Sequence, residues 1–206
     1  MSPGPTFDRV YVALKEQLMS GRFAPGEHLE PSAIGEELHS SITPVRDALH
    51  RLVGEKMVEA PRNDGFRVPS PTEAELRDLY RWNCEMLELA LRRRASGAGA
   101  VLPGRADDSA GAASWAVDDL FRFIARRTGN PEHEAAVENV SDRLASLRLI
   151  EGRLFGDSAE ELAGMLGLFA DPDVAALRRA ITAYHRRRQR RVPDLLVSLR
   201  RAHLDP

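Results

Sequence analysis

Residues 31–53 read PSAIGEELHSSITPVRDALHRLV, and this stretch decides the fold of the N-terminal part of the chain. Pro31 can open a short helix, because a proline at the first helical position lacks only an N–H that would have no helical partner. The polar pair Ser40-Ser41 marks a turn. Thr43 before Pro44 then predicts the start of a second helix, with the threonine hydroxyl as its cap. Two helices around a tight polar turn are typical of a helix-turn-helix unit.

A further helix is predicted before this unit. Thr6 can cap it, its apolar residues Val10, Leu14 and Leu18 recur every four positions, and Gly21 ends it. The helix after Thr43 should bury its own apolar residues, Val45, Leu49, Leu52 and Val53.

Beyond Gly54 the pattern changes from helix to strand. The apolar segments 57–60 and 66–68 flank a turn that contains Asn63-Asp-Gly65, which is typical of a β-hairpin. Three helices followed by a hairpin, called the wing, form a winged helix-turn-helix domain. We predict this domain for residues 1–70.

The texture of the sequence changes at Pro69-Ser-Pro71, a short and stiff connector, and residues 71–206 are predicted to form a second domain. Helices are predicted over 72–95, 115–127, 131–151, 159–169 and 172–191, with a last one opened by Pro193 and breaks at glycines such as Gly152. The small-residue stretch from Ser96 to about Ala113 is predicted to be a loop. The chain is thus expected to be mainly α, a winged helix-turn-helix followed by a C-terminal antiparallel α-helical bundle.

The composition excludes several classes of protein. Basic and acidic residues nearly cancel, 29 against 31, and 43% of the chain is hydrophobic, so disorder is disfavoured. No stretch approaches the roughly 18 uninterrupted apolar residues of a membrane helix. A single cysteine, Cys84, gives no intrachain disulfide. We therefore expect a soluble, cytoplasmic protein without a membrane partner.

Several motifs together resemble the DNA-binding domain of the GntR family of bacterial transcription regulators. They are Gly21-Arg-Phe-Ala-Pro-Gly-Glu-His-Leu29, Ile34-Gly-Glu-Glu-Leu38, Thr43-Pro-Val-Arg-Asp-Ala-Leu-His-Arg-Leu52 and Gly65-Phe-Arg-Val68. The segment 78–90 is similar to the first helix of the all-helical effector domain in the FadR-like branch. The resemblance implies a homodimer that binds double-stranded DNA at a pseudo-palindromic operator.

The third helix would be the recognition helix, with its N-terminal residues toward the duplex and Arg46 as the leading base or phosphate contact. The predicted DNA-binding residues are Ser41, Thr43, Arg46 and His50 on the helix and Arg62, Gly65 and Arg67 in the wing. Asp47 is expected to pair with Arg51, four residues on.

Two features weaken this surface for DNA. Asp64 lies beside the wing tip and repels phosphate, and Ile42 stands where relatives often carry a polar or basic residue. Residues 1–70 hold 8 basic and 10 acidic side chains, a net charge of 8 − 10 = −2. We therefore expect modest non-specific affinity and a shallow dependence on salt.

In FadR-like relatives an aspartate and three histidines often hold a divalent metal. Here the resemblance places Asp118 and His185 at two of these positions, but Arg122 and Leu162 at the others, so we expect no metal and no cofactor. Arg122 could instead bind a small anionic effector in the bundle, together with Asn83, Asp118 and His185. The alternative is that Arg122 pairs with Asp118 on the same helix.

The sequence thus predicts a ligand-responsive, dimeric transcription regulator and no enzyme. Two alternatives remain: a winged domain that has lost DNA binding and contacts proteins, or a zinc-dependent enzyme centred on Asp118, His133 and His185. The run His185-Arg-Arg-Arg-Gln-Arg-Arg191 ends a predicted helix, where it can complement the helix dipole or bind an acidic partner.

Overall fold

The computed structural model describes residues 4–92, 112–170 and 173–203 of the 206-residue chain. It divides into two compact units. The first contains the residues through Pro71 together with His203, and the second is Thr72–Ala202. Most of the stretch predicted to be a loop, residues 96–111, lies outside the described residues. No helix in the described ranges is both long and apolar enough to cross a membrane.

The first unit contains three helices and two short strands: α1 (Pro5–Met19), β1 (His28–Leu29), α2 (Pro31–Glu37), α3 (Ile42–Gly54) and β2 (Phe66–Arg67). The apolar faces of α1 and α3 pack together, and Val10, Leu14, Val45, Leu49 and Leu52 are fully buried. Val53, predicted to be buried, is only partly covered, and Ala48 takes a place in the core instead.

Two helices begin earlier than predicted. Gly4, not Thr6, precedes α1, and Ser41, not Thr43, precedes α3. The first four N–H groups of a helix have no helical acceptor, so a proline is tolerated anywhere in the first turn. Pro44 therefore lies inside α3, and the threonine before it is helical rather than a cap.

The turn of the helix-turn-helix brings the backbone of two segments into close contact. A Cβ atom on Gly35 of α2 would lie 2.9 Å from the backbone oxygen of Ser40. His39, inside this turn, has a positive φ of 49°. Arg9 of α1 caps the C-terminal end of α2, because its guanidinium donates to the Leu38 carbonyl oxygen at 2.8 Å.

The predicted hairpin is only partly correct. The ladder of β2 is formed with β1, antiparallel, with Leu29 opposite Phe66. The segment expected to pair with it, 57–60, contributes one bridge, in which Glu59 and Arg67 exchange two backbone hydrogen bonds of 2.8 and 2.9 Å. His28–Leu29 is too short to show an alternating pattern, so local sequence could not identify it as the strand that completes the wing.

The second unit is a bundle of α4 (Glu73–Arg92), α5 (Ala112–Arg126), α6 (Pro131–Leu154), α7 (Ser158–Ala170), α8 (Val174–Arg190) and α9 (Val192–Arg201). Its core packs α4 against α8 and α5 against α6, with Tyr80, Leu87, Phe121, Leu144 and Ile181 fully buried. Helix α6 runs through Gly152, which was wrongly predicted to be a break. The predicted mainly α architecture, a winged helix-turn-helix followed by a helical bundle, is confirmed.

Local signals set the starts of three bundle helices. Thr72 and Glu75 cap α4 reciprocally, because the Glu75 carboxylate accepts from the Thr72 N–H at 2.8 Å and the Thr72 hydroxyl accepts from the Glu75 N–H at 3.3 Å. The Thr72 N–H and the Thr72 hydroxyl both donate to the Glu75 carboxylate at 2.8 Å, and these two hydrogen bonds hold the pKa of Glu75 below its ordinary value. Asn130 caps α6 and Asp173 caps α8 through their side chains.

Candidate nucleic-acid interface and the polar centre of the bundle

The N-terminal end of α3 presents an exposed polar face. Ser41, Thr43 and Arg46 are all exposed, and the Ser41 side chain makes no capping hydrogen bond. Within the described part of the chain, no carboxylate or hydrogen-bond acceptor engages the Arg46 guanidinium. The first N–H groups of the helix point out of the same end. This face can therefore offer both a guanidinium and free N–H donors to a phosphate or a base edge.

The rear of α3 is held by a cluster around Glu55. Its carboxylate accepts from Tyr11 at 2.8 Å, Lys15 at 3.0 Å and Arg51 at 3.2 Å. Partial burial opposes ionisation of Glu55, but these hydrogen bonds together hold its pKa below the ordinary value. The expected pair between Asp47 and Arg51 is wrong, because Arg51 bonds to Glu55 and stacks 3.8 Å from the Tyr11 ring centroid.

His50 connects the recognition helix to the wing. Its ring meets Phe66 edge to face, with the ring centroids 4.9 Å apart. Phe66 is itself largely buried and belongs to β2. A side chain predicted only to contact DNA therefore also sets the position of the wing relative to α3.

The wing is less basic than its sequence suggests. Arg67 donates to Glu59 at 3.0 Å and lies 3.5 Å from Asp64, so two carboxylates already compensate its charge. Asp64 also lies 3.9 Å from the His28 ring nitrogen. Arg62 is exposed at the tip, and Gly65 has the positive φ of 65° that the turn requires. Of the predicted wing contacts, Arg62 is the cation most available to DNA.

The predicted effector residues differ in burial and in their partners. Asn83, Asp118 and His185 are at most 1% exposed, inside the bundle. Arg122 lies elsewhere and donates to Asp142 at 2.6 Å, with Glu138 at 3.8 Å. The expected pair of Arg122 with Asp118 is therefore wrong, and a role of Arg122 in binding an effector stays a prediction. Asp142, on α6, was missed because its partner is twenty residues away in sequence.

A second arginine, Arg148 on α6, occupies the centre of the predicted site. Its guanidinium forms an ion pair with Asp118, lies 3.5 Å from the Asn83 side-chain oxygen and packs 5.2 Å from the Phe121 ring centroid. No motif in the local sequence marks Arg148 as buried. The only available signal is its place on the apolar side of α6, next to Leu144 and Leu147.

The ring of His185 is buried beside this pair, and each of its two nitrogens faces an oxygen atom. Its Nδ1 donates to the Ile181 carbonyl oxygen at 2.7 Å, and its Nε2 lies 2.8 Å from the Asn83 side-chain oxygen. Burial, together with the charges of Arg148 and Arg188, lowers the pKa of His185 to about 3, although the bond to Ile181 acts in the opposite direction.

The residues present do not suit a divalent metal. Asp118 and His185 supply two ligands, and the guanidinium paired with Asp118 would repel a cation. His133, the third residue of the zinc alternative, lies on α6. Across the described ranges, no three His, Cys, Asp or Glu side chains come together in a metal-binding arrangement.

A further buried network surrounds Glu151. Its carboxylate accepts from Tyr80 at 2.7 Å, Tyr184 at 3.1 Å and Arg188 at 2.8 Å, and Arg188 also reaches Glu161 at 2.5 Å. Burial and the neighbouring Glu151 charge raise the pKa of Tyr184 to about 12. The polar groups around Glu151 are thus engaged with one another, as buried polar groups usually are.

Comparison with known proteins identifies the first unit. Residues 6–68 match the family model described as "Bacterial regulatory proteins, gntR family". The chain is 35% identical over 83 residues to the transcriptional repressor GlaR of Escherichia coli (39% of this chain, 38% of GlaR) and 36% identical over 80 residues to the transcriptional regulator McbR of Escherichia coli (38% and 36%). These alignments span well under half of the curated relatives. The first unit is therefore a winged helix-turn-helix domain of the GntR type.

Solved structures extend the likeness of fold to both units. A GntR transcriptional regulator from Rhodococcus sp. RHA1 has a TM-score of 0.71 at 16% identity, covering 91% of this chain and 97% of that one. The structure of Escherichia coli McbR/YncC has a TM-score of 0.65 at 18% identity, covering 93% and 99%. The relatives are named as transcription regulators, and none of those cited here is named as an enzyme.

Proposed function

We propose that this protein is a DNA-binding transcription regulator of the GntR type, in the FadR-like branch, which acts in the bacterial cytoplasm. It binds a pseudo-palindromic operator as a homodimer and responds to a small anionic ligand. The observation that carries the proposal is the exposed polar face at the N-terminal end of α3, where Arg46 is exposed and unpaired within the described ranges. Structural arginines elsewhere in the first unit have partners: Arg9, Arg22, Arg51 and Arg67 are all bonded to acceptors.

The helical unit supports the proposed branch and the proposed dimer. Its Asp118 and His185 keep two positions of the metal set that the branch resemblance implies, with Arg148 between them. Trp82 and Leu89 lie seven residues apart on one face of α4 and are 51% and 52% exposed. Large apolar side chains exposed together mark a contact surface, and a second copy would present the same pair in a two-fold arrangement.

The DNA part of the proposal is tested by fluorescence anisotropy. Wild-type protein is titrated onto the DNA upstream of its own gene and onto a scrambled duplex, across a range of salt. Arg46→Ala should lose the preference for the upstream DNA, because a bidentate base contact is worth about 1–3 kcal/mol, or about 5- to 150-fold. Asp47→Ala, at the adjacent exposed position, is the control and should keep the preference.

Equal affinity of the wild type for both duplexes at every salt concentration would contradict the proposal and favour the protein-contact alternative. The dimer is tested separately, by sedimentation of the wild type and of Trp82→Arg. A dimeric wild type that becomes monomeric in the variant, with unchanged circular dichroism, supports the α4 surface. A variant that remains dimeric places the interface elsewhere.

A further inference from the structure

The outer side of α8 is unusually basic. Residues 174–191 contain seven arginines and no acidic residue. One of them, Arg188, turns inward to Glu151 and Glu161 and is 1% exposed. The others form two adjacent rows along the helix, Arg178 with Arg186 and Arg190 and Arg179 with Arg187 and Arg191, and Thr182 and Ala183 occupy the positions four residues after the first arginine of each row.

These arginines border a groove of 710 Å³ on the second unit. They are Arg178, Arg179, Arg186, Arg187, Arg190 and Arg191. Phe155, at the end of α6, forms the floor, with the Arg187 and Arg191 guanidinium groups 4.6 and 5.9 Å from its ring centroid. The ring therefore keeps these side chains ordered over an apolar base.

Only part of this positive charge is compensated. Arg187 donates to Asp157 at 3.0 Å, and Arg191 bonds to Asp194 at 2.5 Å. Among the residues that the structure describes, no carboxylate lies within ion-pair distance of Arg178, Arg179, Arg186 or Arg190. On the neighbouring helix α4, Glu88 accepts from the Thr182 hydroxyl at 2.7 Å and lies 3.6 Å from Arg92.

Two ordinary explanations of an arginine-rich helix, the helix dipole and a solvated face, account for only part of the arginines in this groove. The helix dipole favours cations in the last turn, but its effect fades within that turn, and Arg178 and Arg179 lie about three turns earlier. A solvated helix face usually alternates charges of both signs, whereas this face has none of the opposite sign. Four uncompensated guanidinium groups on one concave surface are instead what an anion requires.

We propose that this groove binds a small polyanion, a molecule with two or more phosphate or carboxylate groups, through Arg178, Arg179, Arg186 and Arg190. Arg186 and Arg190 are four residues apart, with Cβ atoms about 5–6 Å apart, and Arg178 and Arg179 lie about two turns earlier, so each pair can take a separate anionic group of the same ligand. The volume of 710 Å³ lies within the range of small-molecule sites. The inference rests on the proposed function in one respect, because the groove would be the binding site of the anionic ligand to which the regulator responds.

Calorimetric titration of the full chain with inorganic pyrophosphate and with citrate tests this site. The groove variant is Arg186→Gln with Arg190→Gln, and both side chains are exposed, so folding should not change. The matched control is Arg200→Gln with Arg201→Gln, which removes two exposed charges from α9. We expect at least about tenfold weaker binding in the groove variant and less than about twofold in the control.

Two outcomes overturn the site: neither probe binds, or the two double variants lose affinity for the probes equally. If neither probe binds but a scrambled DNA duplex binds through Arg186 and Arg190, the groove is a DNA contact instead. Preference between pyrophosphate and citrate distinguishes a phosphate ligand from a carboxylate ligand. Because the pyrophosphate and citrate titrations contain no DNA, their results are independent of the Arg46→Ala experiment. Polyanion binding without operator binding would retain the site and reject the regulator.

Discussion

Arg148 and Asp118 form an ion pair inside the helical unit, where each side chain is only 1% exposed. A buried ion pair adds little stability relative to apolar residues of the same volume, because both charges lose their hydration. Removing one partner is different, since the other charge then stays buried without compensation. The ion pair therefore favours the packing of α5 and α6 that brings Asp118 next to Arg148.

Asp118→Asn should destabilise the protein by about 3–5 kcal/mol, because the Arg148 charge would be left without its counter-ion. The double variant Asp118→Leu with Arg148→Met should lie close to wild type in stability. Urea unfolding followed by circular dichroism measures both. A loss below about 1 kcal/mol in the single variant would show that the guanidinium is compensated by another group.

His185 should make stability dependent on pH. The unfolded chain protonates this residue below its ordinary pKa of about 6.5, whereas the folded protein resists protonation down to about 3. The contribution is therefore fully present above pH 6.5 and decreases by about 1.4 kcal/mol per pH unit below it, until about pH 3. Unfolding free energies of wild type and His185→Gln at pH 7 and pH 5 isolate this effect. Parallel pH dependence in the two proteins would contradict it.

Gly35→Ala should destabilise the first unit by about 1–3 kcal/mol, because the new Cβ would lie 2.9 Å from the Ser40 backbone oxygen. Gly54→Ala is the matched control: it lies at the end of α3 with no atom within 4 Å of the added methyl group. That change should stabilise the helix by about 0.5–1 kcal/mol. Thermal unfolding of the two variants measures the difference, and equal melting temperatures would show that the turn can widen.

Asp64→Asn should strengthen DNA binding, because it removes a carboxylate next to the wing tip and releases Arg67 from one of its two partners. If Arg67 then contacts a phosphate, the slope of log K against log salt should steepen by about one. Asp78→Asn makes the same charge change on α4, where it pairs with Arg81, and should leave the slope unchanged. An unaltered slope in Asp64→Asn would place the wing outside the DNA interface.

Elements with local determinants were predictable from the sequence, and elements with distant determinants were not. Gly21, Pro31 and the apolar spacing in α3 each act within a few residues, and the helices they predict are present. The sequence was not sufficient where the partner lies far along the chain. Strand β1 is defined only by its pairing with β2, and Arg148 is indistinguishable from a surface residue until α5 brings Asp118 to it.

The candidate site follows the same division. The exposed positions Ser41, Thr43 and Arg46 follow from the helical period and the motif. In contrast, the environment of Arg122 depends on Asp142, and that of Arg67 depends on Glu59 and Asp64. Ion-pair partners cannot be chosen from sequence when several carboxylates compete for one guanidinium.

The reciprocal capping of α4 by Thr72 and Glu75 has a consequence for how such a chain can be assembled in evolution. All the information that starts this helix lies in four consecutive residues directly after the prolines of the connector. A gene fusion joined just before Thr72 would supply the bundle with its first helix already specified. A junction placed there therefore leaves the starting signal of α4 intact, whatever residues precede it.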